Sequence, residues 1–267
     1  MTRMGKVLWA AYMGMCSASV AAVERDSLRY SVLSDDKYLG EIVHLEERSD
    51  TEDSKDKVIS VSGDLSLSGW WGSWSRKYQI RSRLRNHKPV SLDMKLFKNG
   101  KGFYIHGEEY EGQLWVTASE VKSGRQREDE QVVDVSFSIL TEFFPELGFL
   151  SVFGGEDSDQ GIMVPLTSFD VVDEALPDYI HDHDYRFNET AVSVFEPENM
   201  EILTYTLTAR GEKYIDLAGT RYRCQEVEIH NRDKSSVYWI ARKNGQALLV
   251  QETGTDKEGH YQVTLMK

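Results

Sequence analysis

The sequence is poor in cysteine and lacks the short motifs that mark the common enzyme classes. Its 267 residues contain two cysteines, Cys16 and Cys224. Because Cys16 falls in an apolar N-terminal segment, we expect no internal disulfide in a processed chain. The chain contains no G-x-S-x-G, no H-E-x-x-H, no P-loop and no dinucleotide-binding fingerprint. These absences favour a protein that is not an enzyme and that uses no cofactor.

Positive charge is also scarce. The chain has 31 basic and 44 acidic residues, a formal net charge of −13. A surface of this sign repels phosphate backbones, so nucleic acid is not an expected partner. Beyond the N-terminus no apolar run is long enough to cross a bilayer, so we expect no stable membrane span. Hydrophobic residues make up 40% of the chain, which is enough for a sizeable core.

The N-terminus has the three-part pattern of a secretory signal peptide. Residues 1–6 carry two basic side chains and no acid, residues 7–22 are apolar or small, and polar sequence begins at Glu24. Cleavage is expected after Ala21 or Ala22. A buried first helix or an uncleaved anchor is the alternative, but the apolar stretch is short for a membrane span. Lipidation of Cys16 is disfavoured by the large Met15 before it. The sequence thus predicts a signal peptide over residues 1–22 and a periplasmic or, alternatively, secreted protein.

Alternation of apolar and polar residues recurs along the rest of the chain. Residues 200–210 alternate strictly, and Gly211 is predicted to turn the chain after them. Turn dipeptides such as Asn99-Gly100 and Asn244-Gly245 separate other strands. The pattern predicts a single, mainly β domain over residues 23–267: a large curved antiparallel sheet, either a half-barrel or a sandwich. We expect one or two short helices, one of them within residues 167–180, capped by Ser168 and interrupted by Pro177.

The C-terminal third resembles a set of uncharacterised exported bacterial domains. The resemblance depends on the Ala218-Gly219-Thr220 turn, the strand around Trp239 and their spacing, and it covers mostly residues 165–255. The fold of those domains is similar to that of the periplasmic lipoprotein carriers LolA and LolB. The resemblance therefore implies a LolA-like half-barrel with helices over one face and an apolar groove that binds acyl chains.

Aromatic residues provide the candidate ligand-binding positions. Trp70, Trp71 and Trp74 lie together in a glycine-flanked segment, and Phe143 and Phe144 lie in the apolar stretch 139–153. Tryptophan offers a large contact area while its N–H stays hydrated, which suits the rim of an apolar groove. Ordinary core packing is the alternative for all five residues.

Histidine and aspartate alternate in a short segment that contains His181 and His183. Imidazole and carboxylate groups bind divalent metals, but a structural zinc site needs four ligands and the sequence shows no complete set. We therefore predict no metal site, with His181 and His183 as the weak candidates and a solvated loop as the alternative. Cys224, in a predicted strand, has no neighbouring base in the sequence and is expected to be a buried apolar side chain.

Two functions remain open. The leading hypothesis is a non-enzymatic periplasmic carrier of a hydrophobic ligand, a lipid or acyl chain. The alternative is an accessory or interaction protein of an envelope pathway, for example one that handles polysaccharide, with an envelope protein as its partner and no small ligand. A carrier needs an unfilled apolar cavity, an interaction protein needs an exposed apolar patch, and an enzyme needs titratable groups that converge in a cleft.

Overall fold

The structure is a computed structural model that describes residues 23–49, 56–69, 72–98, 101–121, 132–134, 162–197, 201–256 and 259–266. The predicted signal peptide lies outside these ranges. A short 3₁₀ helix (Asp173–Ala175) leads into one α-helix, α1 (Leu176–Asp182). The strands in chain order are β1 (Val23–Ser34), β2 (Lys37–Ser49), β3 (Asp56–Gly69), β4 (Gly72–Arg85), β5 (Lys88–Lys98), β6 (Lys101–Tyr110), β7 (Gln113–Val121), β8 (Val132–Asp134), β9 (Ile162–Pro165), β10 (Val171–Val172), β11 (Thr190–Glu196), β12 (Glu201–Leu217), β13 (Thr220–His230), β14 (Ser235–Lys243), β15 (Gln246–Asp256) and β16 (Gly259–Leu265).

Alternating burial explains why the strands form one curved sheet. In β4, Tyr78, Ile80 and Leu84 are buried, whereas the arginines between them are exposed. Successive side chains of a strand point to opposite faces, so this pattern directs one face to the interior and the other to water. The arginine-rich face of β4 is therefore the outer face of the sheet.

Two-residue turns connect many of the strands. Each of these turns has two residues with positive φ, the geometry that matches the twist of a β-hairpin. Glycine or asparagine occupies at least one position in four of the five turns, because these residues tolerate positive φ best. The turns are Asp35-Asp36, Asn86-His87, Glu111-Gly112, Ala218-Gly219 and Asn244-Gly245.

Within the described residues, sixteen strands belong to one sheet. Its order is β10-β11-β12-β13-β14-β15-β16-β1-β2-β3-β4-β5-β6-β7-β8, and β9 pairs with β7. Neighbouring strands are antiparallel except for the parallel pair β10 and β11. The first and last strands of the domain, β1 and β16, pair in the middle of the sheet, so the two halves of the chain form one continuous surface.

The two ends of the sheet are bridged by a single segment, residues 162–172. This segment begins as β9 on the edge of β7 and ends as β10 on the edge of β11. Between these strands Lys88 donates a hydrogen bond to the carbonyl of Leu166 at 2.6 Å. The backbone N–H of Val172 donates to the carbonyl of His87 at 3.1 Å. These contacts give the sheet a barrel-like form with an interior.

Three local predictions were wrong. Ser168 does not cap a helix but donates to the carbonyl of Pro165 at 2.6 Å, and Pro177 lies in the first turn of α1 rather than at a break. Proline suits this position because its missing N–H has no helical partner there. Gly211 does not end a strand either: β12 continues through it, with a bulge between Ala209 and Gly211 that glycine permits at a φ of +105°.

The prediction of a mainly β protein with a large curved antiparallel sheet and a short helix is confirmed. A large cluster of buried side chains fills the interior between β3–β7 and β11–β14, with the short helices packed against it. A second cluster, around Tyr30, Cys224 and Val250, lies under β1 and β13–β16. No helix in the described ranges is both long and apolar enough to traverse a lipid bilayer.

Candidate functional site

A cavity of about 450 Å³ lies inside the curved sheet and is the main candidate for a binding site. It lies between the inner face of the sheet and the short helices. The lining is apolar in the middle and polar toward both ends. The lining residues are Asp26, Leu28, Tyr30, Ile42, His44, Glu46, Val61, Tyr78, Ile80, Asp173, Glu174, Pro177, Asp178, Glu196, Pro197, Lys234, Tyr238, Lys243, Gln246, Ala247, Leu248, Leu249, Glu252, Tyr261 and Val263.

Strand register places the apolar and polar groups in rows. On β1 and β2 the inward side chains face each other in pairs: Tyr30 opposite Ile42, Leu28 opposite His44, and Asp26 opposite Glu46. Residues two apart on a strand share a face, so each step along β1 moves from the apolar middle toward an acidic end. We call the group Asp26, Glu46 and His44 the acidic end of the cavity.

Two glycine–tyrosine pairs shape the walls. Tyr78 on β4 lies directly opposite Gly63 on β3, and Tyr261 on β16 lies opposite Gly254 on β15. A Cβ atom on Gly63 would come within 2.4 Å of the Tyr78 ring, and one on Gly254 within 2.5 Å of the Tyr261 hydroxyl. The glycines therefore let both rings lie flat across the neighbouring strand, as in aromatic rescue of strand glycines.

At the other end of the cavity a lysine is held between a carboxylate and an aromatic ring. Lys234 Nζ lies 3.2 Å from a Glu252 oxygen and 5.4 Å from the centre of the Tyr261 ring. The Tyr261 hydroxyl donates to the same carboxylate at 2.6 Å. Although burial opposes it, the Glu252 carboxylate raises the pKa of Lys234. This lysine therefore stays charged in the interior.

His44 is the least satisfied polar side chain of the acidic end. Its Nε2 atom is enclosed and has no hydrogen-bond partner among the described residues. Burial lowers the pKa of His44, an effect that Glu46 and Asp178 oppose and Lys57 reinforces. The imidazole is therefore neutral at physiological pH, with one nitrogen able to accept a hydrogen bond.

A polar cleft of about 500 Å³ adjoins the cavity on the other side of α1. Lys57 on β3 forms an ion pair with Asp178 of α1 at 2.5 Å. His87, in the β4–β5 turn, approaches Asp182 at the end of α1 at 3.3 Å. These contacts hold the helix against the rims of two hairpins, and we call them the helix latch.

His181 completes the helix latch from inside α1. Arg242 Nε donates to His181 Nε2 at 2.9 Å, and His181 Nδ1 lies 3.1 Å from Asp182. Because an arginine N–H can only donate, Nε2 of His181 is the acceptor and Nδ1 carries the proton. The titratable groups of the cleft are thus bonded to one another.

The histidines predicted as weak metal candidates have different environments. His181 is buried in α1, whereas His183 is exposed just after the helix and its Nδ1 bonds to the Tyr179 carbonyl at 2.8 Å. In the described part of the chain, no three His, Cys, Asp or Glu side chains are grouped so that they could hold a metal ion. Cys224 is buried, and burial raises the pKa of its thiol to about 11, which disfavours the reactive thiolate.

The predicted aromatic ligand contacts are not among the described side chains. Trp70, Trp71, Phe143 and Phe144 lie outside the described residues. The backbone of Trp74 pairs with Leu67 at the start of β4, and its side chain is not described.

The residues that line the cavity were missed by sequence reasoning, although the sequence contains a signal for some of them. Gly63 and Gly254 lie inside strongly alternating strands, and glycine there marks a close approach by another group. His44 and Glu46 alternate with Val43 and Leu45, so the sequence alone does not show which of the two sets faces inward.

Comparison with known proteins identifies the fold and no function. No protein-family model matches the chain, and no curated protein matches it in sequence. In structure it is similar to a β-barrel-like protein of the domain of unknown function DUF1849 from Brucella abortus. The TM-score is 0.52 at 10% identity, over 93% of this chain and 98% of that one. At this identity the similarity concerns the fold alone.

The predicted resemblance to LolA and LolB was wrong. The structural similarity is to the DUF1849 protein and extends over nearly the whole chain rather than residues 165–255. The features behind the prediction have local explanations. Ala218-Gly219 is an ordinary hairpin turn with two positive φ angles. Trp239 donates to Glu226 at 3.1 Å and lies beneath Lys213. Such features recur in many antiparallel sheets.

Proposed function

We propose that this protein is a non-enzymatic binding protein of the bacterial periplasm that carries a small ligand with an apolar body. The observation that supports the proposal is the cavity inside the sheet. Its volume of about 450 Å³ falls in the range of ligand pockets, about 300–1,000 Å³. Leu28, Ile42 and Val61 line its middle and are only partly buried by protein, so apolar surface is left for a ligand to cover.

Binding of this kind is passive. An apolar ligand leaves water for the cavity, and the gain is proportional to the apolar area that both partners remove from solvent. The acidic exterior keeps the complex soluble. The helix latch supports a structural role for the neighbouring cleft, because its acids and bases are already bonded to each other.

Native mass spectrometry tests the proposal. The protein is purified from the periplasm and measured before and after organic extraction. We expect a bound mass of lipid size that extraction removes. Ile42→Trp, which fills the cavity, should abolish that mass, whereas Val43→Trp, on the opposite face of β2, should keep it. Equal occupancy in the two variants, or a wild-type protein without bound mass, would contradict the proposal.

The alternative of an envelope interaction protein is supported by a different surface. Trp115 on β7 and Met163 on β9 are opposite each other in register, and both are exposed, at 37% and 46%. Paired exposed apolar side chains are typical of contact surfaces. A wild-type protein free of extractable mass, in the experiment above, would favour this second function.

A further inference from the structure

We infer that the ligand of the cavity carries an ammonium group with at least one N–H, seated among Asp26, Glu46 and His44. The inference rests on the proposed binding function and adds the chemical class of the ligand.

Two carboxylates face each other across strands in the acidic end. Asp26 on β1 and Glu46 on β2 are direct cross-strand partners, and both line the cavity. Like charges in this position destabilise a sheet. Arg48 forms an ion pair with Glu46 but does not line the cavity. A cation bound from the inside would lie between the two carboxylates and offset their repulsion.

The unpartnered Nε2 atom of His44 indicates which kind of cation fits the acidic end. His44 lies two residues before Glu46 and shares its face, and its enclosed Nε2 lacks a hydrogen-bond partner within the described residues. A buried polar atom without a partner costs free energy. An ammonium group can donate one N–H to a neutral imidazole and another to a carboxylate, whereas a quaternary ammonium has no N–H to donate.

The charge of the whole lining has the same sign. Seven acidic side chains line the cavity against two lysines, Lys234 and Lys243. Lys57 and Arg48, outside the lining, pair with Asp178 and Glu46 and reduce this excess without cancelling it. At the opposite end of the cavity the ammonium group of the Lys234 side chain already lies against Glu252 and over the Tyr261 ring. A carboxylate and an aromatic face are thus sufficient to hold an ammonium in this interior. An anionic head group, such as that of a fatty acid, would meet repulsion.

The apolar middle lies next to the acidic end. Leu28 pairs with His44, and Tyr30 pairs with Ile42 one step further along the strands. A ligand with its ammonium at the acidic end would therefore place an alkyl or aryl portion along Ile42 and Val61. The ligand class that fits both parts is an amphipathic amine.

Isothermal titration calorimetry with four ligands of equal chain length tests the inference. The extracted periplasmic protein is titrated, below micelle concentrations, with dodecylammonium, dodecyltrimethylammonium, dodecanoate and dodecanol. We expect dodecylammonium to bind about ten-fold or more tightly than each of the others. Asp26→Asn should weaken the binding of dodecylammonium by about ten-fold. His44→Phe should remove the preference of the protein for dodecylammonium over dodecyltrimethylammonium. Asp64→Asn, which removes an exposed carboxylate of β3, is the matched control and should change neither.

The outcomes separate the inference from the proposed function. Equal binding of all four ligands, or tighter binding of dodecanoate, would overturn the ammonium inference while the binding function stands. Binding of none of the four would count against both. Normal thermal unfolding of Asp26→Asn and His44→Phe shows that a loss of affinity is not a loss of fold.

Discussion

At the scale of single residues, the inner face of β1 and β2 combines two unfavourable features at one place. A neutral histidine with an unpartnered nitrogen stands beside two opposed carboxylates, whereas the polar residues of the outer face form cross-strand ion pairs such as Arg223 with Glu212. Natural sequences break local rules mainly at functional sites. Under the proposed binding function, the acidic end is the position where selection for binding opposes selection for stability.

The pH dependence of stability should reveal His44. Burial lowers the pKa of His44 below its usual value of 6.5, so below about pH 6.5 the unfolded chain binds the proton that the folded protein resists. The free energy of unfolding should therefore decrease as the pH falls from about 7 to 5, and His44→Gln should show a smaller decrease. Urea denaturation at several pH values measures this.

His260→Gln, at an exposed position near the start of β16, controls for the loss of a histidine as such. Burial also lowers the pKa of His87, so His87 adds to the loss of stability on acidification. It is left unchanged in all variants. A His44→Gln protein that loses as much stability on acidification as the wild type would contradict this account.

At the scale of elements, α1 depends on its surroundings. It has seven residues, and isolated helices of that length are unstable in water. Its position is maintained by the apolar face of Leu176 and Ile180, which are fully buried, and by the helix latch. Because Asp178 of α1 lines both the cavity and the cleft, the element between them is one that tertiary contacts must hold.

Removal of the Lys57 side chain should lower the free energy of unfolding strongly, because it breaks the contact between β3 and α1. Its ion pair with Asp178 has side chains only 13% and 11% exposed, and loss of one partner of a buried pair costs about 3 kcal/mol. Lys77→Met breaks a pair of similar length, 2.7 Å to Asp64, whose side chains are 62% and 63% exposed, and should cost less than about 1 kcal/mol. Urea denaturation of Lys57→Met and Lys77→Met compares the two. Equal losses of unfolding free energy in the two variants would show that the helix latch adds no more to stability than an exposed ion pair does.

At the scale of the whole molecule, closure of the sheet creates the interior. Residues 162–172 join the β7 edge to the β11 edge, and without this bridge both edges would have unpaired backbone groups. The same segment continues directly into the short helices that cover the cavity. Closure of the sheet and enclosure of the cavity are therefore achieved by one continuous stretch of chain.

Export concerns the chain as a whole and can be tested by mass. We expect the protein recovered from the periplasm to lack residues 1–21 or 1–22, because the small residues at that point fit a signal-peptidase site. Intact-mass measurement identifies the new N-terminus. Leu8→Arg, which interrupts the apolar segment, should leave the full-length chain in the cytoplasm, whereas Ser27→Ala, beyond the cleavage point, should be exported normally. Recovery of uncleaved wild-type protein would argue against a signal peptide.

The sequence by itself determined the strands and the turns, because these depend on neighbours along the chain. It also determined the sign of the net charge, which depends on composition alone. Side-chain alternation identified the strands, and Asn244-Gly245 and Ala218-Gly219 are turns as their residue types predict. Gly211 and Pro177 were misjudged because a glycine can permit a bulge as well as a turn, and a proline can begin a helix as well as interrupt one.

Only the tertiary structure decided where the cavity lies and which residues line it. Lys57 and Asp178 are 121 residues apart in sequence, and β1 pairs with β16 from the other end of the domain. The orientation of β2, which turns His44 and Glu46 inward and Val43 outward, follows from strand register, and a slip of one residue would reverse it. Register is determined by pairing and packing across the whole sheet, so the cavity is a property of the closed sheet and of no single segment.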